Sequence, residues 1–129
     1  MFARILVPLN DTPEAAVALA PAQTVAKATG ASITLLTVID TAASEADHTS
    51  ATAHLERVAS ELNADGVHVN TLVRQGEPAD EIVAATLEGH AELVVMATHG
   101  RNGLARAFLG SVSQRVLATS PVLLRLAWC

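Results

Sequence analysis

Cysteine occurs once in this 129-residue chain, as Cys129, and lysine occurs once, as Lys27. A single cysteine excludes an internal disulfide and fits a reducing, cytoplasmic setting. The single lysine lies in a helical stretch, so no G-x-x-x-x-G-K-[ST] phosphate loop exists. The late lysine that a phosphoacceptor receiver domain needs is missing as well. Half of the residues are hydrophobic, but they come in short runs, none approaching the roughly 20 needed to span a bilayer. No basic stretch followed by an apolar core opens the chain, so neither a secretory leader nor membrane insertion is expected.

Acidic residues stop at Glu92. Residues 1–92 hold all 13 acids against 4 bases, a balance of −9, whereas residues 93–129 hold four arginines and no acid, +4. The overall charge of −5 argues against general nucleic-acid binding. Three of the late arginines, Arg101, Arg106 and Arg115, lie in or just after the stretch MATHGRNGLARAFLGS, Met96 to Ser111. They create a local positive field suited to a small anion; chance placement of a few charges is the plain alternative.

The patterning alternates strand and helix. ARILVPL (3–9) reads as a buried strand stopped by Pro8. A helix follows, with Thr12 as N-cap, Pro13 at its first position, Glu14 in its first turn and Gly30 as its stop. Pro21 should kink or split it. ASITLLTVID (31–40) is a second buried strand, and TAASEADHTSAT (41–52) reads as a polar, mobile connection. Leu55, Val58, Ala59 and Leu62 recur at helical spacing. VHVNTLVRQG is a half-buried strand ending at Gly76. EPADEIVAATLEGH is a helix with Pro78 near its start and acids in its first turn. AELVVMATHG is the fourth strand, GSVSQRVLATS a helix opened by Ser111, and SPVLLRL the final strand. Apolar strands separated by amphipathic helices predict a parallel sheet covered on both faces. The expected fold is a single doubly wound α/β domain over residues 1–129, with five parallel strands in the order 3-2-1-4-5 and four helices on both faces. A ligand would then sit outside the carboxyl ends of the strands, at the switch point.

The turn after the first strand, PLNDTPEA, contains no glycine, which excludes a dinucleotide G-x-G-x-x-G there. The glycine-rich turn follows the fourth strand instead. Its spacing runs Ala97, two residues, Gly100, nine residues, Gly110-Ser111. Gly100 and Gly103 permit left-handed backbone and let amides point at an anion. Gly110-Ser111 opens a helix whose first amides are unpaired, which suits phosphate, and Ser111 and Ser113 add hydroxyls. A plain strand–loop–helix connection capped by Ser111 is the competing explanation.

This arrangement resembles the universal stress proteins, whose ATP-binding members carry Gly, two residues, Gly, nine residues, Gly-Ser/Thr at this place. The resemblance extends along the chain through ILVPLNDTPEA, LLTVID and ELVVMATHGRNGL…LGSVSQRVL…SPVLLRL. The sequence departs from the family pattern at two positions: Ala97 replaces the first motif glycine, and Asn10 replaces the usual aspartate. The resemblance implies that Pro8, Leu9, Asn10 and Val38 line the adenine and ribose end, Val38 acting through its backbone. Met96, Ala97, His99, Gly100, Arg101, Gly103, Gly110, Ser111, Val112 and Ser113 complete the candidate nucleotide site. The ligand implied is ATP, or AMP or ADP, with magnesium as its companion.

Arg101 fits a phosphate contact and a solvated position equally well. His99 lies in the turn, but no nucleophile or second histidine is spaced to work with it, so a solvent-facing role explains it better than a catalytic one. His48, His54, His68 and His90 lack metal-ligand spacing. Asp11 and Asp40, near strand ends, could hold magnesium through water, and cap and turn roles explain them as well. The expectation is therefore a nucleotide-binding stress-response protein without catalysis, dimeric through the edge strand PVLLRL. The alternative is a dimeric interaction module of the same family that binds no nucleotide. ATP cleavage is the weakest reading, because no base, nucleophile and metal site come together.

Overall fold

The run Arg-Ile-Leu-Val-Pro forms strand β1, Arg4–Pro8, in the computed structural model, which describes residues 3–9, 18–97 and 123–127. β1 is apolar on both faces because it lies at the middle of the sheet. It pairs in parallel with β2 (Ser32–Ile39) on one side and β4 (Leu93–Ala97) on the other. β3 (Val69–Gln75) flanks β2, and β5 (Leu123–Ala127) flanks β4. The sheet has five strands in the order β3-β2-β1-β4-β5, the order expected from the family resemblance together with the alternation of strand and helix.

Three helices are described: α1 (Leu19–Thr29), α2 (Glu45–Ala64) and α3 (Pro78–Glu88). The predicted helix of GSVSQRVLATS and the predicted first-helix start at Thr12 and Pro13 lie outside the described residues. Pro21 stands in the first turn of α1 as described, where the absence of an N–H is least costly. α1 ends at Gly30, whose φ of 76° is left-handed and whose N–H donates to the Ala26 carbonyl.

One expectation is corrected. Residues 45–52 belong to α2 rather than to a mobile connection. Ser44 and Asp47 form a reciprocal capping box: the Ser44 hydroxyl accepts from the Asp47 N–H at 3.2 Å, and the Asp47 carboxylate accepts from the Ser44 N–H at 2.9 Å. That cap satisfies two amides that a helix start otherwise leaves open. It allows a small, polar first half to be helical once Leu55, Val58, Ala59 and Leu62 anchor the second half in the core. At α3, Pro78 begins the helix, and the Glu77 carboxylate accepts from the Asp80 N–H at 2.8 Å.

Strand alternation divides the core in two. Ile5, Val7, Leu9, Ile33, Leu35 and Val95 face α1 and α2, together with Ala22, Ala26, Leu55 and Leu62. Leu6, Leu36, Val94 and Met96 face the opposite way and pack with Ile82 and Ala85 of α3. Helices therefore cover both faces, which is why the inner strands are mostly apolar, with polar side chains only at Arg4, Ser32, Thr34 and Thr37. β3 is joined to α3 by Arg74, whose guanidinium donates to Glu81 at 2.7 Å and to Glu88 at 2.9 Å. The hydrogen bonds to Glu88 and then Glu81 hold its pKa above the ordinary arginine value. Because Glu88 is largely exposed, the clasp fixes geometry more than it adds stability.

The end of α3 carries a local strain. His90 follows the helix with a φ of 53°, a left-handed conformation that glycine adopts at lower cost. The Ala91 N–H closes the turn by donating to the Thr86 carbonyl at 3.0 Å. His90 is exposed, so no packing is lost on its removal. His90→Gly is expected to raise unfolding stability by about 0.5–1 kcal/mol. Urea denaturation measures this, and a midpoint at or below that of the wild type contradicts it.

Candidate functional site

The order β2-β1-β4 places the candidate residues of three separate sequence segments at one end of the sheet. Pro8 closes β1 and pairs in register with Leu36, so Val38 of β2 lies just beyond it on the same side. The pairing of Leu6 with Val94 carries Met96 and Ala97 of β4 to that end as well. Chain connections leave β1 toward β2 on one side, while β4 returns on the other. Pro8 and Leu9 therefore border the switch point, where an open parallel sheet leaves a crevice.

Hydrogen bonds hold this end firmly. The Leu9 N–H donates to the Leu36 carbonyl at 2.7 Å, and the buried Thr37 hydroxyl donates to the Leu9 carbonyl at 3.0 Å. The chain after β2 is tied as well. The Asp40 carboxylate accepts from the Ala42 N–H at 2.8 Å, and the Ala43 N–H donates to the Asp40 carbonyl at 2.9 Å. The Gln75 side-chain amide, at the end of β3, donates to the carbonyls of Asp40 and Thr41, both at 3.1 Å. Asp40 thus has the turn role that its sequence position allowed. Among the described residues, no three of His, Cys, Asp and Glu gather as a metal site.

A cleft of about 490 Å³ opens between the end of β2 and α2. Its inner wall is Thr37, Val38, Ile39 and Asp40, its floor includes Ala42 and Ala43, and its outer wall is Asp47, Ser50, Ala51 and His54. The volume lies within the range of pockets that take small molecules, and the mixture of apolar walls with a few polar groups is typical of them.

Among the described residues, Val38 of the candidate nucleotide site lines this cleft, and so does Asp40, the residue considered for magnesium. Pro8, Leu9, Met96 and Ala97 lie on the neighbouring strand ends. Asn10, His99, Gly100, Arg101, Gly103, Gly110, Ser111, Val112 and Ser113 lie outside the described residues, as does Asp11. The sequence pattern does not point to the four α2 residues. Their spacing of three, four and seven residues is that of one helical face, a signal hidden when residues 41–52 read as irregular. In sequence His54 draws notice only for metal spacing, which it lacks.

This arrangement is that of a doubly wound α/β domain with a cleft at the carboxyl end of its sheet. The chain belongs to the universal stress protein family, whose family model matches residues 1–124. It is 42% identical over 71 residues to universal stress protein MJ0531 of Methanocaldococcus jannaschii, covering 54% of this chain and 42% of that protein. It is 39% identical over 72 residues to universal stress protein YxiE of Bacillus subtilis, covering 54% and 49%. The matched stretches thus span less than half the length of these relatives.

Solved structures share the fold across almost the whole chain. Protein MJ0577 of Methanocaldococcus jannaschii superposes with a TM-score of 0.79 at 24% identity, covering all of this chain and 97% of that one. A universal stress protein in complex with cAMP gives 0.76 at 21% identity, with coverage of 98% and 97%. The Archaeoglobus fulgidus protein in complex with dAMP gives 0.75 at 20% identity, with 97% of each chain covered.

Proposed function

We propose that this universal stress protein binds an adenine nucleotide, ATP foremost with AMP and ADP as related ligands, and acts in a stress response by binding rather than by turnover. The observation that carries this reading is the convergence of Pro8-Leu9, Val38 and Met96-Ala97 at the switch point. Beyond Ala97 the sequence runs into a stretch rich in glycine and arginine, the Gly100 to Ser111 motif, and holds no acid after Glu92. Structural neighbours in complex with cAMP and dAMP support an adenine nucleotide as the ligand class. Magnesium would enter with the phosphates of ATP. Calorimetric titration with ATP and magnesium tests the proposal: saturable binding at one site per chain is expected, and a flat titration at millimolar ATP contradicts it.

A second reading, a dimeric interaction module that holds no nucleotide, is favoured by Ala97 and Asn10. Ala97 adds a methyl where the family motif has glycine, and Asn10 removes a charge. The reading also includes a reducing cytoplasmic setting, supported by the single cysteine, and no nucleic-acid partner, supported by the acidic balance.

Two expectations accompany the proposal. Turnover is expected to be negligible, since the spacing of residues in the sequence points to no base, nucleophile and metal site that would work together. Phosphate release with ATP and magnesium should stay far below about one per second, the lower end of common enzyme rates. Sustained release at that rate, abolished by Gly110→Glu, contradicts the expectation. A homodimer paired through β5 is also expected, since β5 is an edge of the sheet and an uncovered edge is a template for pairing. Light scattering at micromolar concentration should give twice the chain mass; the 13.4 kDa of one chain contradicts it.

A further inference from the structure

We infer that one face of α2, through Ser50, Ala51 and His54, is the outer wall of the base pocket and helps to select the nucleotide's base. The inference rests on the nucleotide-binding reading and extends it to residues outside the glycine-rich turn. The cleft begins at Val38 and Ile39 and is closed on its far side by α2. Ala51 and His54 are half-buried there, one helical turn apart, and Ser50 lies beside them at the rim.

Charge decides which end of the ligand enters. Asp40 and Asp47 both line the cleft, and two carboxylates disfavour a polyphosphate. They are compatible with a neutral base and with ribose hydroxyls, which donate hydrogen bonds to carboxylates. The phosphates then lie toward the end of β4, after which the sequence holds four arginines and no acid. The apolar part of the walls, Ile39 and Ala51, suits the faces of a flat ring. The His54 ring adds to the wall, and the Ser50 hydroxyl at the rim offers a donor and an acceptor to the edge of the base.

The test uses the full chain with alanine methyls labelled for NMR and ATP with magnesium as the probe. Addition of ATP is expected to shift the Ala51 methyl signal, identified by its loss in Ala51→Leu, while the buried Ala22 and Ala26 methyls of α1 stay in place. Ala51→Leu is expected to weaken ATP at least tenfold, because the larger side chain fills the slot, and Ser50→Ala is expected to change the ratio of ATP to GTP affinity. If ATP saturates the protein but the Ala51 signal does not move and Ala51→Leu binds as the wild type does, the inference is overturned and the nucleotide reading stands. If ATP causes no saturable change in any signal, both are overturned.

Discussion

Gly110→Glu is expected to abolish ATP binding while leaving the fold intact. The substitution places bulk and negative charge at the start of the predicted final helix. There the open amides and the helix dipole favour an anion. A carboxylate at that place would occupy the proposed phosphate position and repel a polyphosphate. Two gentler substitutions complete the series. Ser111→Ala removes one hydroxyl donor; a hydrogen bond to a charged group contributes roughly 1.5–3 kcal/mol, so affinity should fall about tenfold to a hundredfold. Ala97→Gly restores the glycine of the family motif and should tighten binding. Calorimetric titration reads all three, with circular dichroism to confirm the fold. Equal ATP affinity in the wild type and all three variants means that the nucleotide is held elsewhere. If neither the wild type nor Ala97→Gly binds, the purely structural reading of the turn is the better one.

Leu36→Ala is expected to damage the fold severely, with a loss of about 2–5 kcal/mol. Leu36 is fully buried on β2, on the sheet face that packs against α3, among Leu6, Ile82, Val94 and Met96. Removing most of its side chain leaves a void between two layers that cannot close without moving the sheet or α3. For a domain whose stability is of the order of 5–15 kcal/mol, this is a large share. The urea midpoint should fall sharply with little change in slope. The backbone carbonyl of residue 36 still accepts from the Leu9 N–H, so the end of β1 should keep its position in the folded fraction. A loss below about 1 kcal/mol contradicts the view that this face is closely packed.

The fold was legible because its determinants are local. β1, β2 and β4 are mostly apolar on both faces, as a covered parallel sheet requires, and Gly30 and Pro78 mark helix ends by backbone geometry that few other residues favour. The strand order followed from the family resemblance together with the alternation of strand and helix. The first half of α2 was not legible by periodicity, because Ala46, Ser50, Ala51 and Ala53 form no apolar stripe. Its start is set by the capping box of Ser44 and Asp47, a signal written in two polar residues. Ser50, Ala51 and His54 were hidden as cleft residues for the same reason, since their meeting with Val38 depends on how α2 lies against the end of β2. The phosphate half of the candidate site had the opposite character. Its glycines, arginines and serines stand out in sequence because backbone approach and positive charge need particular residue types at particular spacings.

The most direct measurement of the central claim is a native mass spectrum of protein purified gently, without added nucleotide. Binding of an adenine nucleotide predicts a species heavier than the bare chain, or its dimer, by the mass of AMP, ADP or ATP per bound site, lost on denaturation and absent from Gly110→Glu. A spectrum that shows only the bare mass, unchanged when millimolar ATP and magnesium are supplied, contradicts it.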